Sequence, residues 1–203
     1  MIHVITVAVT GGIASGKSEV LKVAETFSEV RTVQADLLAK EVYDPENPCF
    51  PEVVDLFGSD IVTEDGSVDL QMVSTEVFSD PGLLEDLEEI SHPYVKGRIE
   101  GMVECFRKQG IRLTLIEVPL LFQSPHVDLD TFDLVVLVDA SRDDQIERLV
   151  SREGVSEEEA RRRMELQGMP DEAADKSDYV ISSKGSVEET RSQARKFIND
   201  LLD

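Results

Sequence analysis

A glycine-rich segment near the beginning of the sequence has the residue types and the spacing of a phosphate-binding loop. It fits the pattern G-x-x-x-x-G-K-S with the residues Gly11, Gly12, Ile13, Ala14, Ser15, Gly16, Lys17 and Ser18. Glycines allow a loop to wrap closely around a phosphate group, and its successive backbone N–H groups form a nest for the anion. The lysine of this motif reaches the β- and γ-phosphates of a nucleotide, and the hydroxyl of its last residue binds Mg²⁺. The alternative is a strand-to-helix turn without a ligand, which the complete motif disfavours.

Two other classes of protein that carry this loop do not fit the sequence. GTPases select guanine with the motif N-K-x-D, but the two asparagines, Asn47 and Asn199, are followed by proline and aspartate. A large motor or transporter needs a chain longer than 203 residues. The motif therefore indicates a small-molecule kinase.

Asp36 is a candidate for the base of such a kinase. Its carboxylate can accept the proton of an acceptor hydroxyl or orient that hydroxyl for in-line attack. It follows a predicted strand, and ligands of open α/β sheets collect at the carboxyl ends of the strands. The alternative is an N-cap for a helix predicted over 37–43, because aspartate is a favourable N-cap residue.

Basic side chains are candidates for binding the transferred phosphoryl group. Arg148 and Arg152 share one helical face because they are four residues apart. Guanidinium groups on this face can stabilise the charge that develops during phosphoryl transfer. The alternative is an exposed helix with salt bridges, since Glu147 and Glu153 flank these arginines.

Further residues offer metal binding or positive charge. Glu117 ends a predicted apolar strand, where it can hold Mg²⁺ through water; a paired structural carboxylate is an equally good interpretation. Lys40, Lys96 and Arg98 can supply positive charge for a second, phosphate-bearing substrate.

Five short apolar segments are predicted to be the buried parallel strands that position these residues. They cover 3–9, 31–34, 113–118, 133–138 and 178–181. Stretches with helical periodicity lie between them, at 16–27, 83–109 and 143–167. Alternating strands and helices indicate a three-layer α/β fold with a five-stranded parallel sheet.

An acidic segment interrupts this alternation. Residues 41–95 include 15 acidic residues and neither lysine nor arginine. The turn signals Asp44-Pro45, Asn47-Pro48 and Asp65-Gly66 favour a mostly helical subdomain over further core strands. We expect one domain over 1–203, with this subdomain at about 41–110 and a second excursion at about 142–175.

Composition limits the possible partners and compartments. The chain has 42 acidic and 20 basic residues, for a net charge of −22. This excess argues against a binder of duplex nucleic acid. The apolar runs are too short to span a bilayer, and the first residues lack the pattern of a signal peptide. Cys49 and Cys105 form neither a disulfide framework nor a zinc pattern. We expect a soluble cytoplasmic protein, and such acidity would suit a high-salt environment.

Nearly the whole chain, from about residue 4 to residue 186, resembles one family of P-loop kinases. The resemblance is carried by Thr10 to Ser18, Ala35-Asp36, Phe57-Gly58, Val77-Phe78, His92-Pro93, Pro119-Leu120-Leu121-Phe122, Gln145, Arg148, Arg152 and Gln167. The family is that of the dephospho-CoA kinases. It implies transfer of the γ-phosphoryl group of ATP to the ribose 3′-hydroxyl of dephospho-CoA, a helical acceptor-binding subdomain and a mobile helical lid that carries the arginines.

The resemblance and the residue chemistry together give an expected site. The catalytic residues are Asp36, Lys17 and Arg148. ATP binds the loop of residues 11–18 with Arg148, Arg152 and Lys184, and Ser18 and Glu117 hold Mg²⁺. The acceptor binds Asp36, Lys40, His92, Lys96, Pro119 and Leu120.

His92 is placed near the acceptor by the resemblance alone. Its alternative is a buried, hydrogen-bonded structural histidine. Pro93 is expected to interrupt the helix at this point, because proline disfavours the helical conformation of the preceding residue.

Several positions depart from the family pattern. They are Glu19, Gln34, Leu70, Gln123 and the loop 182–185. Glu19 places an anion next to the phosphate loop. These departures keep two alternatives open: a nucleoside or nucleotide kinase of similar fold, and a degenerate nucleotide-binding regulatory protein. We expect ATP and dephospho-CoA as partners, no nucleic acid or membrane, and a monomer or weak oligomer.

Overall fold

A parallel sheet forms the centre of the chain. The computed structural model describes residues 3–119, 121–122, 127, 129–169 and 171–203. The strands are β1 (Ile5–Thr10), β2 (Val30–Gln34), β3 (Leu113–Glu117), β4 (Leu134–Asp139) and β5 (Tyr179–Ser182). They lie in the order β2-β3-β1-β4-β5, and each neighbouring pair is parallel. The five predicted strands are confirmed, with ends that differ by at most two residues.

Eight α-helices accompany the sheet in the described part of the chain. They are α1 (Lys17–Ala24), α2 (Ala35–Lys40), α3 (Phe50–Phe57), α4 (Leu70–Ser79), α5 (Pro81–Lys108), α6 (Arg142–Glu153), α7 (Glu157–Gln167) and α8 (Val187–Leu202). None of these helices is long and apolar enough to cross a membrane.

The sheet is buried on both faces. Val7, Ala8 and Val9 are all inaccessible to solvent, although successive side chains of a strand point to opposite faces. Val20 of α1 and Phe197 of α8 pack in one core cluster with β1. The predicted α/β architecture with a covered parallel sheet is therefore confirmed.

The strand order determines where a ligand can bind. β1 lies in the middle of the sheet, with β3 on one side and β4 on the other. The next strand in the chain, β2, lies beyond β3, whereas β4 and β5 extend the sheet in the opposite direction. Ligands of open α/β sheets bind at such a change of direction, outside the carboxyl ends of the strands. The loop that follows β1 occupies this place.

The chain divides into two compact units, one of Met1–Gln34 with Val103–Asp203 and the other of Ala35–Met102. The second unit has its own apolar core, in which Val42, Val53, Phe57, Ile61 and Val73 are buried. Its regular structure in the described residues is helical apart from a bridge between Val62 and Val68. The acidic segment thus folds mostly as helices, as its turn signals predict.

One expectation and one alternative about helix boundaries are wrong. α5 continues through Pro93 over 28 residues, although Pro93 was expected to interrupt it. The proline removes only one intrahelical hydrogen bond, to the carbonyl of Glu89, and the many bonds on either side maintain the helix. α2 begins at Ala35, so Asp36 lies within its first turn and is not the N-cap of a helix over 37–43.

Candidate functional site

The loop after β1 adopts a conformation that requires its glycines. Gly11 and Gly16 have φ angles of 150° and 102°, which are unfavourable for other residues. A Cβ atom on Gly11 would lie 2.5 Å from the carbonyl oxygen of Val138. Ala14 has a φ of 56°, a left-handed conformation that costs about 1–2 kcal/mol for a residue with a side chain. The surrounding contacts must therefore stabilise the loop.

Lys17 begins α1 and turns back over the loop. Its side chain is 8% exposed, and its Nζ donates hydrogen bonds to the carbonyl oxygens of Gly11 at 2.8 Å and Gly12 at 3.1 Å. The ammonium group is thus held beside the turn that the motif predicts to receive phosphates.

Side chains from two other elements bind the outward carbonyl groups of the loop. Gln145 of α6 donates from Nε2 to the carbonyl of Ile13 at 2.7 Å. Arg148, on the same face of α6, donates from one terminal nitrogen to the carbonyls of Ala14 at 3.2 Å and Ser15 at 3.3 Å. α6 therefore supports the loop from its outer side.

Ser183, directly after β5, completes these contacts. It is 1% exposed, and its Oγ donates to the carbonyl of Ser15. The same Oγ accepts a hydrogen bond from Arg148 at 2.9 Å, and the carbonyl of Ser183 accepts another from Arg148 at 2.6 Å. Arg148 therefore lies beside the phosphate loop and donates hydrogen bonds to carbonyl groups of the protein.

One buried polar atom inside the loop has no hydrogen-bond partner among the described residues. It is the Oγ of Ser15, which lies 2.6 Å from the place where a Cβ of Gly11 would stand. A buried hydroxyl without a partner costs about 1–3 kcal/mol. A phosphate oxygen is the kind of acceptor that this hydroxyl lacks.

Two residues have the chemistry of Mg²⁺ ligands. Ser18 is an exposed residue in the first turn of α1, and Glu117 is half-buried at the last position of β3. Glu117 is in register with Val9 of β1, two residues before the loop begins. Mg²⁺ usually takes few protein ligands and completes its shell with phosphates and water. A hydroxyl and a carboxylate at this edge of the sheet fit that requirement.

Two other predicted ATP-binding residues are exposed and paired with acids. Arg152 of α6 forms an ion pair with Glu153. The Nζ of Lys184 lies 2.6 Å from the carboxylate of Asp139 at the end of β4. Solvent-exposed pairs of this kind contribute little to stability. Both cations therefore stay available for exchange of partners.

The second compact unit contains most of the residues predicted to bind the acceptor. Asp36 and Lys40 are both exposed and lie four residues apart on α2. His92 and Lys96 have the same spacing on α5, where His92 is half-buried and Lys96 is exposed. Each helix therefore presents its two residues on one face.

Arg98, a further cation predicted for the acceptor side, is held within the second unit. Its guanidinium donates to the carboxylate of Glu41 at 2.9 and 3.2 Å, and Tyr94 donates to the same carboxylate at 2.5 Å. The hydrogen bond from Arg98, followed by that from Tyr94, lowers the pKa of Glu41. Arg98 is thus committed to an ion pair.

Pro119 and Leu120 follow β3 and were predicted to contact the acceptor. The carbonyl of Pro119 accepts a long hydrogen bond of 3.4 Å from the hydroxyl of Thr10, the last residue of β1. Pro119 therefore lies beside the start of the phosphate loop. Leu120 lies outside the described residues.

The family model for dephospho-CoA kinase matches residues 5–189. The chain belongs to the dephospho-CoA kinase family. A dephospho-CoA kinase from Bacillus cereus is 33% identical over 189 residues, which cover 93% of each chain. The match therefore includes the phosphate loop, α6 and the loop after β5.

Two solved structures have folds similar to that of this chain. A protein from Thermus thermophilus is 29% identical with a TM-score of 0.80 and covers 99% of both chains. A dephospho-CoA kinase from Campylobacter jejuni has a TM-score of 0.71 over 97% of this chain and 96% of its own, and at 21% identity it supports the fold.

The dephospho-CoA kinase motifs do not reveal every residue around the loop. The contact of Ser183 with Ser15 joins residues that are 168 positions apart, and no local pattern predicts it. The ion pair of Glu19 with Arg191, at 2.6 Å, was also missed. The sequence contains only a weak signal for the role of Ser183. This residue follows the carboxyl end of β5, and ligands of this kind of fold bind at the carboxyl ends of the strands.

Proposed function

We propose that this protein transfers the γ-phosphoryl group of ATP to the ribose 3′-hydroxyl of dephospho-CoA, giving coenzyme A and ADP. Membership of the dephospho-CoA kinase family carries the assignment of kinase and acceptor. The observation that supports it most directly is the complete phosphate loop with Lys17 folded over its carbonyls. A nucleoside or nucleotide kinase and a degenerate binding protein remain outcomes of the test below.

On the donor side, ATP lies along the loop of residues 11–18. Backbone N–H groups and Lys17 bind its phosphates. Arg148, Arg152 and Lys184 add positive charge. Within the segment 142–175, Gln145 and Arg148 stay bound to the loop, and the rest of the segment acts as a lid over the nucleotide. Closure of such a lid excludes water and strengthens the electrostatic stabilisation of the transferring group.

On the acceptor side, the segment 41–110 binds dephospho-CoA. Lys40, His92 and Lys96 contact it together with Pro119 and Leu120. Asp36 accepts the proton of the 3′-hydroxyl as its oxygen attacks the γ-phosphorus and the bond to the β-phosphate oxygen breaks. The transfer is direct, because the role of this fold is to position the substrates and stabilise charge rather than to supply a nucleophile.

Mg²⁺ accompanies ATP in this proposal. Ser18 and Glu117 would hold it, Glu117 through a water molecule. The cation would neutralise part of the phosphate charge when bound. Ser18 ends the phosphate loop motif, and Glu117 ends β3 beside the strand that leads into the loop, which supports the assignment. We place the protein in the cytoplasm, as a monomer or weak oligomer without nucleic-acid or membrane partners.

The first experiment measures ADP release from ATP and Mg²⁺ with dephospho-CoA, AMP, uridine or no acceptor. We expect turnover with dephospho-CoA, and a loss of at least about a hundredfold in kcat for Asp36→Asn, as for a missing general base. Asp86→Asn is the matched control, since Asp86 is another exposed helical aspartate of the same unit.

Each other outcome corrects a different part of the proposal. Turnover with AMP or uridine alone would show that the protein is a kinase but that dephospho-CoA is not its acceptor. Turnover with none of the acceptors, at low and high salt, would indicate a binding protein. Equal rates for Asp36→Asn and wild type would show that Asp36 is not the general base.

A further inference from the structure

The phosphate loop has three consecutive carbonyl groups that are bound by side chains from outside the loop. Those of Ile13, Ala14 and Ser15 accept hydrogen bonds from α6 or from the loop after β5. The donors are Gln145, Arg148 and Ser183. We name these three residues the outer clamp.

The clamp determines where the loop's N–H groups point. A trans peptide unit is planar, so its C=O and N–H bonds point in opposite directions. A carbonyl of Ser15 held on the outer side therefore directs the N–H of Gly16 to the inner side. The same relation joins the carbonyl of Ile13 to the N–H of Ala14. These two N–H groups are oriented as an anion nest needs them.

The loop needs such support because its backbone is strained. Ala14 has a left-handed φ of 56°, and residues in such conformations persist only when their surroundings fix them. Gln145 lies so close to the loop that a Cβ on Gly12 would be 2.5 Å from its Nε2. Ser183 lies near the other end of the loop, where its Oγ would be 3.3 Å from a Cβ on Gly16.

We infer that Ser183 and Gln145 are positioning residues for phosphate binding, which hold the loop in its anion-binding conformation before the nucleotide arrives. This inference rests on the proposed function only in assigning the phosphates of ATP to the loop. Neither residue needs to touch the nucleotide, since both act through carbonyl groups on the outer side. We therefore expect Ser183 and Gln145 to affect binding of the phosphates more than binding of the adenosine portion.

The test is a set of binding measurements by calorimetry, with Mg²⁺ and without acceptor. The probes are ATP, inorganic tripolyphosphate and adenosine. We expect Ser183→Ala to weaken both ATP and tripolyphosphate by about five- to tenfold, as for the loss of one hydrogen bond. Adenosine binding should stay within twofold of the wild type. Gln145→Ala should show the same selective loss.

A matched control removes a hydroxyl of the same kind elsewhere. Ser177 donates from its Oγ to the carbonyl of Ala173 at 2.7 Å, and Ser177→Ala should leave all three affinities unchanged. Circular dichroism establishes that each variant is folded. If Ser183→Ala does not fold, Gln145→Ala decides the question by the same comparison.

Two results would contradict the inference that Ser183 and Gln145 position the loop for phosphate binding. One is unchanged tripolyphosphate binding in the folded variants, and the other is an equal loss for adenosine and ATP, which would indicate a general structural defect. A wild-type protein that binds neither ATP nor tripolyphosphate would contradict the proposed function itself. A wild type that binds both but lacks kinase activity would contradict the proposed activity and indicate a binding protein. The variants would still test the clamp, because its test measures binding and not turnover.

Discussion

A carboxylate immediately after the phosphate loop requires compensation. Glu19 follows Ser18 in the first turn of α1, where its charge would repel the phosphates of a bound nucleotide. Arg191 of α8 donates two hydrogen bonds to one of its oxygens, at 2.9 and 2.6 Å, and Lys22 binds the other at 2.7 Å. The hydrogen bond from Lys22 is the main factor that lowers the pKa of Glu19. The carboxylate is therefore ionised at neutral pH and balanced by two cations.

We expect Arg191→Gln to weaken ATP binding because it removes one of these cations. The loss should be about three- to tenfold at low salt, by Coulomb repulsion in a partly solvated site, and should shrink as salt screens the charges. Titration calorimetry with ATP at two ionic strengths measures it.

The double variant Glu19→Gln, Arg191→Gln distinguishes charge from packing. It removes both partners, so ATP affinity should return to within about twofold of the wild type if repulsion by Glu19 is the cause. A double variant that binds as weakly as Arg191→Gln would attribute the loss to the packing of α8 on α1.

Single residues differ in how well the sequence predicts them. The loop of residues 11–18 was predictable because its geometry depends on glycines and a lysine at fixed local spacing. The partners of Arg148 were not, because they lie 35 and more positions away in the chain. The carbonyl groups that Arg148 binds are brought together only by the tertiary fold, when α6 and the residue after β5 pack on the phosphate loop.

At the scale of the elements, the sequence predicted strands better than helix boundaries. Strands buried on both faces are continuous apolar runs, and each of the five stands out from its polar surroundings. The helix α5 was expected to be interrupted at Pro93 but continues through it. Proline disfavours the helical conformation of the residue before it, yet a helix of 28 residues has enough other hydrogen bonds to impose that conformation.

We expect Pro93→Ala to stabilise the protein. Alanine restores an N–H for the carbonyl of Glu89 and removes the steric conflict of the ring, which together cost up to about 3 kcal/mol in a helix interior. Part of this gain is offset because alanine gives the unfolded chain more freedom, by about 0.4–1 kcal/mol. The free energy of unfolding in urea should rise by about 1–2 kcal/mol.

The control for this variant is Gly97→Ala in the same helix, where a Cβ would meet nothing within 4 Å. It should stabilise the helix by up to about 1 kcal/mol through propensity alone. A fall in stability for Pro93→Ala would mean that the proline fits its local backbone, and that the ring contributes contacts that alanine lacks.

At the scale of the whole molecule, charge is the dominant feature. The net charge is −22, and the segment 41–95 carries 15 acidic residues without a lysine or arginine. Like charges repel across the folded surface and destabilise the compact state. This acidic segment lies within the region that is proposed to bind dephospho-CoA. The pyrophosphate group of dephospho-CoA is also negatively charged, so the two would repel each other. Lys40 and Lys96 are cations of the same unit, which the proposal assigns to the acceptor.

We expect salt to stabilise the fold. The Debye length falls from about 30 Å at 0.01 M salt to about 10 Å at 0.1 M and 3 Å at 1 M, so repulsion within the acidic segment is progressively screened. The midpoint of thermal unfolding should rise by several degrees between 0.01 and 0.3 M KCl. A fall in stability over this range would contradict adaptation to a high-salt environment.

A variant with fewer charges separates screening from other effects of salt. Glu85, Asp86 and Glu89 are exposed on α5, and Glu85→Gln, Asp86→Asn, Glu89→Gln together remove three negative charges from the acidic segment. This variant should unfold at a higher temperature than the wild type in 0.01 M KCl and should gain less from added salt. If both proteins gain equally, the salt effect does not come from repulsion in this segment, and ion binding elsewhere or a general strengthening of apolar burial by salt explains it.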